Sequence, residues 1–265
     1  MSESSVAVII ASRRGRSGKT LLARTLVDYF VLSGARPHIF DTDVVEQGLQ
    51  RSFPEALVIN LSLVADQMLL FDTLANPAPG PRIVEITAFW LTKFFQLMQD
   101  TDFVAESRSQ GVEPVVFYIP DRKVDSFEAA VVLRDIFADC PFVVVQNGFF
   151  KTPANVQQSP ACKALRKHKW QFTMPELTDR AVDAIEAGLS LSEFMRQPIS
   201  STGASLVPDD LTPESRMVLR RWTFKMFQEI RRVLGTLNTD VEPGSDIGRK
   251  DAIRSWDIGE QPITS

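Results

Sequence analysis

Cysteine and histidine are nearly absent from this 265-residue chain, with two of each. Cys140 and Cys162 form no C-x-x-C pair, so neither a disulfide framework nor a zinc site is expected, and a reducing cytoplasm suits the chain best. Long apolar runs are missing too. The first one, residues 6–11, is far shorter than the roughly 20 residues that cross a bilayer. Before it, Met1-Ser2-Glu3-Ser4-Ser5 has no basic leader region, so a soluble, unexported, cytoplasmic protein is expected. There is no excess of positive charge either. A formal net charge of −4 excludes a surface that coats nucleic acid as a whole and leaves only local basic patches. The apolar fraction of 44% is that of a globular protein, which rules out bulk disorder; the length suits one α/β domain with a small appendage.

What is present is an alternation of short apolar runs and helical patterns. Residues 6–11 are β-branched and apolar, ending in a polar, glycine-containing loop, which predicts a buried parallel strand. Leu21, Leu22, Leu26, Val27, Phe30 and Val31 then recur at helical spacing over 20–32, with Ser33-Gly34 as the stop. Further strands are expected at 37–40, 82–86, 114–119, 142–146 and 170–174, and a good helix at 126–137. The dense apolar cluster in 88–110 reads as one or two helices. Strands alternating with helices predict an α/β fold, a mostly parallel sheet with helices on both faces. That domain is expected to occupy 1–196. A Ser/Pro/Gly-rich linker at 197–211 then leads to a C-terminal helix at 212–236, with Thr212 as N-cap and Pro213 at its first position. From 237 to 265 the composition predicts a disordered tail.

The chemistry concentrates at Arg14-Gly15-Arg16-Ser17-Gly18-Lys19-Thr20, between a strand and a helix. In a phosphate-binding loop, backbone N–H groups wrap the β-phosphate and a lysine bridges the β and γ oxygens. A Ser/Thr hydroxyl takes Mg²⁺, and the helix N-terminus adds its dipole. Gly18, Lys19 and Thr20 fit the end of that pattern, although Arg13 stands where the ordinary motif has glycine. Asp41 and Asp43 close the second strand, Glu85 sits in the apolar strand around 83–86, and Asn147 ends the strand at 142–146. Taken singly, the two aspartates also read as helix caps or turn residues, Glu85 as a solvated strand acid, and Asn147 as a turn cap.

The loop resembles the deviant Walker A motif of the ParA/MinD family, K-G-G-x-G-K-[ST], with Gly15, Gly18, Lys19 and Thr20 in register. Arg14 replaces the family's first lysine and Arg16 its second glycine. The resemblance covers about residues 6–195. It implies ATP or ADP cradled by residues 15–21, namely Gly15, Arg16, Ser17, Gly18, Lys19, Thr20 and Leu21, with Asn147 and Pro175 at the base. It implies Mg²⁺ held through Thr20, Asp41 and the Walker B residue Glu85, where the family has aspartate. Lys19, Asp43 and Arg14 become the catalytic candidates: Lys19 on the phosphates, Asp43 orienting water, and Arg14 reaching across an ATP-dependent homodimer. Such proteins hydrolyse ATP slowly and place plasmids, chromosomes, division proteins or conjugation components with a protein partner or activator. The long apolar segment after the Walker B strand is similar to the StbB/TraL-like plasmid branch.

Two basic features are candidates for DNA or membrane contact: the run 163–169 and the amphipathic helix 213–234. Each also has a bland reading, as a solvated face and as a helix packed on its own domain. Arg16 and Glu85 motivate an alternative function, a degenerate nucleotide-binding module with little or no hydrolysis. A P-loop enzyme with an acceptor substrate, as in the dethiobiotin synthetase group, is a third reading without an acceptor-site signature.

Overall fold

A computed structural model describes residues 5–77, 79–197 and 212–237. Its centre is a seven-stranded sheet in which every pairing is parallel, in the order β3-β2-β4-β1-β5-β6-β7. The strands are β1 (Ser5–Ala11), β2 (His38–Asp41), β3 (Leu57–Val58), β4 (Arg82–Glu85), β5 (Val112–Tyr118), β6 (Phe142–Asn147) and β7 (Gln171–Met174). The expected α/β class with helices on both faces is therefore observed.

Alternation along β1 shows how the layers form. Val8 and Ile10 face one apolar cluster, while Ala7, Ile9 and Ala11 face the other, and all five are fully buried. The first face is covered by α1 (Lys19–Leu32) and, after a short α2 (Gly48–Ser52), by α9 (Asp179–Glu186), α10 (Leu191–Arg196) and α11 (Pro213–Leu237). The second is covered by α3 (Val64–Ala75), α4 (Leu91–Asp100), α5 (Phe103–Ser109), α6 (Val124–Ile136), α7 (Ala154–Gln158) and α8 (Pro160–Arg166). Two-sided burial is why the strands read as continuous apolar runs.

The segment 88–110 resolves into a 3-10 turn (Ala88–Trp90) followed by α4 and α5. Phe94, Phe95 and Phe103 are buried there, and Phe71 of α3 lies against both Phe94 and Phe103. Nothing in the pattern of 44–81 announces α2, β3 or α3, which depend on that packing. The C-terminal helix runs from Pro213 through Gly235 to Leu237. Leu219, Trp222, Met226, Ile230 and Val233 are buried against the first face, so its apolar stripe is used within the domain. The Trp222 indole N–H donates to the Pro175 carbonyl at 2.8 Å, and Arg220 donates to the Phe194 and Gln197 carbonyls. Most of the expected linker and all but the first residue of the expected tail lie outside the described residues.

Asp28 ties the two ends of this face together. Buried in α1, its carboxylate accepts from the backbone N–H groups of Leu191 and Ser192 and from the Ser190 hydroxyl, at 2.9–3.0 Å, and so caps α10 from 162 or more residues away. Hydrogen bonds to a buried charge are each worth about 1.5–3 kcal/mol, and their loss leaves N–H donors stranded. Asp28→Ala is expected to lower the urea unfolding free energy by about 3 kcal/mol; a loss under about 1 kcal/mol would show that the cap is dispensable.

Candidate nucleotide site

The carboxyl ends of β1, β4 and β2 lie side by side and carry the functional loops. Residues 12–18 leave β1 and feed directly into α1, whose N-cap is Gly18. Two residues of the loop have left-handed backbone: Gly18 at φ 96° and Arg16 at φ 55°. At Gly18 a Cβ would come within 2.7 Å of Asn147 Nδ2 and 2.8 Å of Met174 Cε, so these side-chain tips would have to shift, and the left-handed backbone itself favours glycine. Arg16 takes up the tight path with a side chain present. Its side chain is exposed and makes no hydrogen bond or ion pair with a described residue. A left-handed non-glycine residue costs roughly 1–2 kcal/mol, from which the extra unfolded-state freedom of glycine must be subtracted. Arg16→Gly is expected to raise the melting temperature by about 1–3 °C. A lower melting temperature would mean that the arginine stabilises the loop by a contact.

Lys19 opens α1 and is buried. Its ammonium donates to the Arg14 carbonyl at 3.2 Å, closing the loop on itself. Burial lowers its pKa, while Glu85 and Asp43 oppose that shift by favouring the cation. Beside it, the Thr20 hydroxyl donates to Glu85 Oε1 at 2.8 Å. Glu85 is pushed up to about 7, chiefly by burial and further by Asp41 and Asp43, with Lys19 and Thr20 pulling the other way. Its second oxygen, Oε2, is buried with no hydrogen-bond partner, as are the Ser17 and Ser12 hydroxyl oxygens. A solvated strand face is therefore not where Glu85 lies. A half-satisfied carboxylate next to a helix-N-terminal hydroxyl is the donor set a hard cation would use. Among the described residues no group of three or more His, Cys, Asp or Glu gathers to hold a metal by protein ligands alone. Mg²⁺ suits such a site, because it keeps several waters and uses one or two protein oxygens with substrate phosphates.

Asp41 pairs across the sheet with Glu85, but its carboxylate is already employed. Oδ1 accepts from Asp43 N at 2.9 Å; Oδ2 accepts from Leu49 N at 2.9 Å and Gln50 N at 3.3 Å, at the start of α2. In this structure it acts as a cap. Asp43 Oδ1 accepts from the backbone of Val45 and Glu46, turning the chain away from β2. Asn147 donates from Nδ2 to the Ser17 carbonyl at 2.9 Å and accepts at Oδ1 from Phe149 N, so it anchors the 12–18 loop to the end of β6. Pro175 follows β7 and is held through its carbonyl by Trp222.

Arg14 lies in a carboxylate clamp. Nη1 and Nη2 engage Asp125 at 2.9 and 2.5 Å, and Nη1 also donates to Asp121 at 2.8 Å; Arg13 approaches Asp125 at 3.3 Å. Hydrogen bonding from Arg14 holds the Asp125 carboxyl below its usual range. Neither aspartate was marked by the motif, since both come from the β5–α6 loop and the first turn of α6. Their only sequence signal is the pair of acids at 121 and 125 after an apolar strand.

Of the two basic features, the run 163–169 keeps Lys163, Arg166, Lys167 and Lys169 exposed, while His168 is partly buried. Lys163 and Arg166 lie exposed on α8, and Lys169 sits 3.8 Å from the Trp170 ring centroid. His168, however, contacts the Phe142 carbonyl, and burial lowers its pKa. On α11, Arg221, Lys225, Arg231 and Arg232 are exposed. Among the described residues no helix is long and apolar enough to cross a membrane.

A seven-stranded parallel sheet with helices on both faces, and a strand–loop–helix turn at its central strand, defines the chain as a layered α/β protein. No protein-family model matches it, and no curated protein matches its sequence. Solved structures do. A chain of the MinC:MinD cell division protein complex of Aquifex aeolicus matches 92% of this chain and 99% of its own length, with a TM-score of 0.52 at 12% identity. A nucleotide-binding protein of Archaeoglobus fulgidus in complex with ADP covers 73% of this chain and 90% of its own, at 13% identity and TM-score 0.46. A Cyanothece McdA–ATP complex covers 88% and 97%, at 14% identity and TM-score 0.44. The first of these establishes a likeness of fold.

Proposed function

We propose that this chain is a Mg²⁺-dependent ATP-binding switch of the ParA/MinD kind, which closes as a dimer over ATP, hydrolyses it slowly to ADP and phosphate, and so positions a cargo with a protein partner. The observation that carries the reading is the cradle itself: left-handed Arg16 and Gly18 turn the loop into α1, where Lys19, Thr20 and Glu85 meet. ATP supplies the phosphoryl group to be transferred, and Mg²⁺ supplies counter-charge for it.

In this reading the backbone of residues 15–21 binds the phosphates, and Lys19 exchanges its Arg14 carbonyl for phosphate oxygens. Thr20 and Glu85 hold the metal and its waters, with Asp41 supporting from the cap. Asp43 orients the attacking water. Asn147 keeps the loop seated while the 147 and 175 loops flank the base. Arg14 acts across the dimer, which requires that it leave Asp121 and Asp125. The cargo is a plasmid, chromosome, division or conjugation component, with the exposed arginines of α11 or Lys163 and Arg166 as contacts for DNA, membrane or an acidic protein.

A second reading, a nucleotide-binding interaction module without turnover, is favoured by Glu85, whose longer side chain bonds Thr20 directly and resists ionisation below about pH 7. Calorimetric titration of the purified chain with ATP, with and without Mg²⁺, tests the common core; phosphate release and the mass in solution separate the two readings. Micromolar Mg²⁺-dependent binding with a doubling of mass and slow release is expected. Binding without any release, even with partners added, leaves the module; no binding at all removes both.

A further inference from the structure

At the pole opposite the phosphate loop, a groove of about 620 Å³ opens between the carboxyl end of α1, the amino ends of β1 and β5, the turn before β4 and the last turn of α11. Its walls are mixed in polarity, with an apolar part formed by Tyr29, Phe30, Pro79, Pro81, Leu234 and Leu237. Two charges border it. Glu113 is already paired with Arg108 at 2.7 Å, whereas Arg231 is exposed and pairs with no described residue, so the rim is left net positive.

Leu237 is both part of the groove wall and the last described residue of the chain. Residues 238–265 therefore leave α11 at the groove's edge. They carry six acidic and three basic side chains, opposite in sign to the rim, and a single aromatic, Trp256, within Ile253-Arg254-Ser255-Trp256-Asp257-Ile258. Eighteen residues separate Leu237 from Trp256, a reach of up to roughly 60 Å when extended, so a return to the groove strains nothing. A tether of this length holds the segment near its site at an effective concentration on the order of millimolar, which favours it over a free partner of equal chemistry.

We propose that this groove is the docking site of the chain's own C-terminal segment, anchored by Trp256 between Tyr29, Phe30 and Leu234, with Ile253 and Ile258 beside it and Asp257 facing Arg231. Docking there joins the tail to the far end of α1, the helix whose first residues form the phosphate cradle. The assignment does not depend on what the cradle binds.

A nitroxide on Ser33→Cys tests it in the full chain. Ser33 is exposed and lines the groove, while Cys140 and Cys162 are 1% and 2% exposed, so only the new thiol takes the label. The readout is the Trp256 indole N–H in ¹⁵N spectra, assigned by its loss in Trp256→Phe. It is expected to lose more than half its intensity with the oxidised label and recover on reduction. Leu234→Glu should abolish the broadening while the Trp222 indole signal keeps its position. Equal Trp256 intensity in both label states overturns the proposal, whether residues 1–4 fill the groove or nothing does. Broadening that survives Leu234→Glu overturns it as well. So does broadening in a mixture of ¹⁵N chain and separately labelled chain, which would place a second copy's tail there.

Discussion

Lys19→Ala is expected to weaken Mg²⁺-ATP binding by at least about 100-fold while leaving the fold intact. Lys19 is 6% exposed and the fixed partner of its ammonium is one backbone carbonyl, so in the nucleotide-free chain it is a desolvated cation with weak compensation. Glu85 and Asp43 favour its charged form, but burial outweighs them. Removing it therefore changes stability little, by about 1 kcal/mol in either direction once the loss to the two carboxylates is included. Triphosphate would lose a charge placed for it in a low-dielectric site, where one such interaction is worth about 3–4 kcal/mol. Calorimetric titration and thermal unfolding of the same samples separate the two effects. ATP affinity within tenfold of the unaltered chain would mean that the cradle does not hold phosphate.

Glu85→Gln should raise stability and impair the proposed function. A carboxyl whose pKa rises from 4.5 unfolded to about 7 folded makes a contribution that is intact below pH 4.5 and lost as pH climbs through 7. Above that pH the ionised form costs the folded chain about 3 kcal/mol. Glutamine is not ionised and can still accept from Thr20. In metal-free buffer at pH 8 the variant should melt roughly 3–8 °C higher, with the gain shrinking towards zero at pH 5. The orphaned second position, now an amide, trims that gain. Mg²⁺ should then no longer strengthen nucleotide binding, because the anionic oxygen that would hold its waters is gone. A gain of equal size at pH 5 and pH 8 would show that packing, not charge, is responsible. Retained Mg²⁺ dependence would move the metal role away from Glu85. Such a trade, stability given up for an ion site, is expected where a functional carboxylate is kept buried.

The strand–loop–helix turn at 12–20 and the first sheet strands were legible because their signals are short in range. Strand, turn and helix start fall within about 15 consecutive residues, and backbone conformation there follows from which positions carry glycine. The left-handed Arg16 shows the limit of that rule: its neighbours impose a path that its own preference opposes. The apolar stripe of α11 was legible as amphipathic, yet whether it met lipid, DNA or its own domain depended on the first face of the sheet being open to receive Trp222 and Met226. The elements between 44 and 81 were not legible. β3 is two residues long, and α3 has its periodicity blurred by exposed Val64, Met68 and Leu69.

Chain order alone determined the parallel α/β layering and the identity of the groups at the cradle, because apolar runs buried on both faces and a glycine-bearing strand-to-helix turn admit few other arrangements. Which of those groups remain available was settled only in three dimensions. Arg14 meets Asp121 and Asp125 from 107 and 111 residues away, Asn147 reaches Ser17 across 130, and Asp41 is taken up by capping α2. Hydrogen bonds and ion pairs form between whatever the sheet order brings together, and no local pattern records those partners.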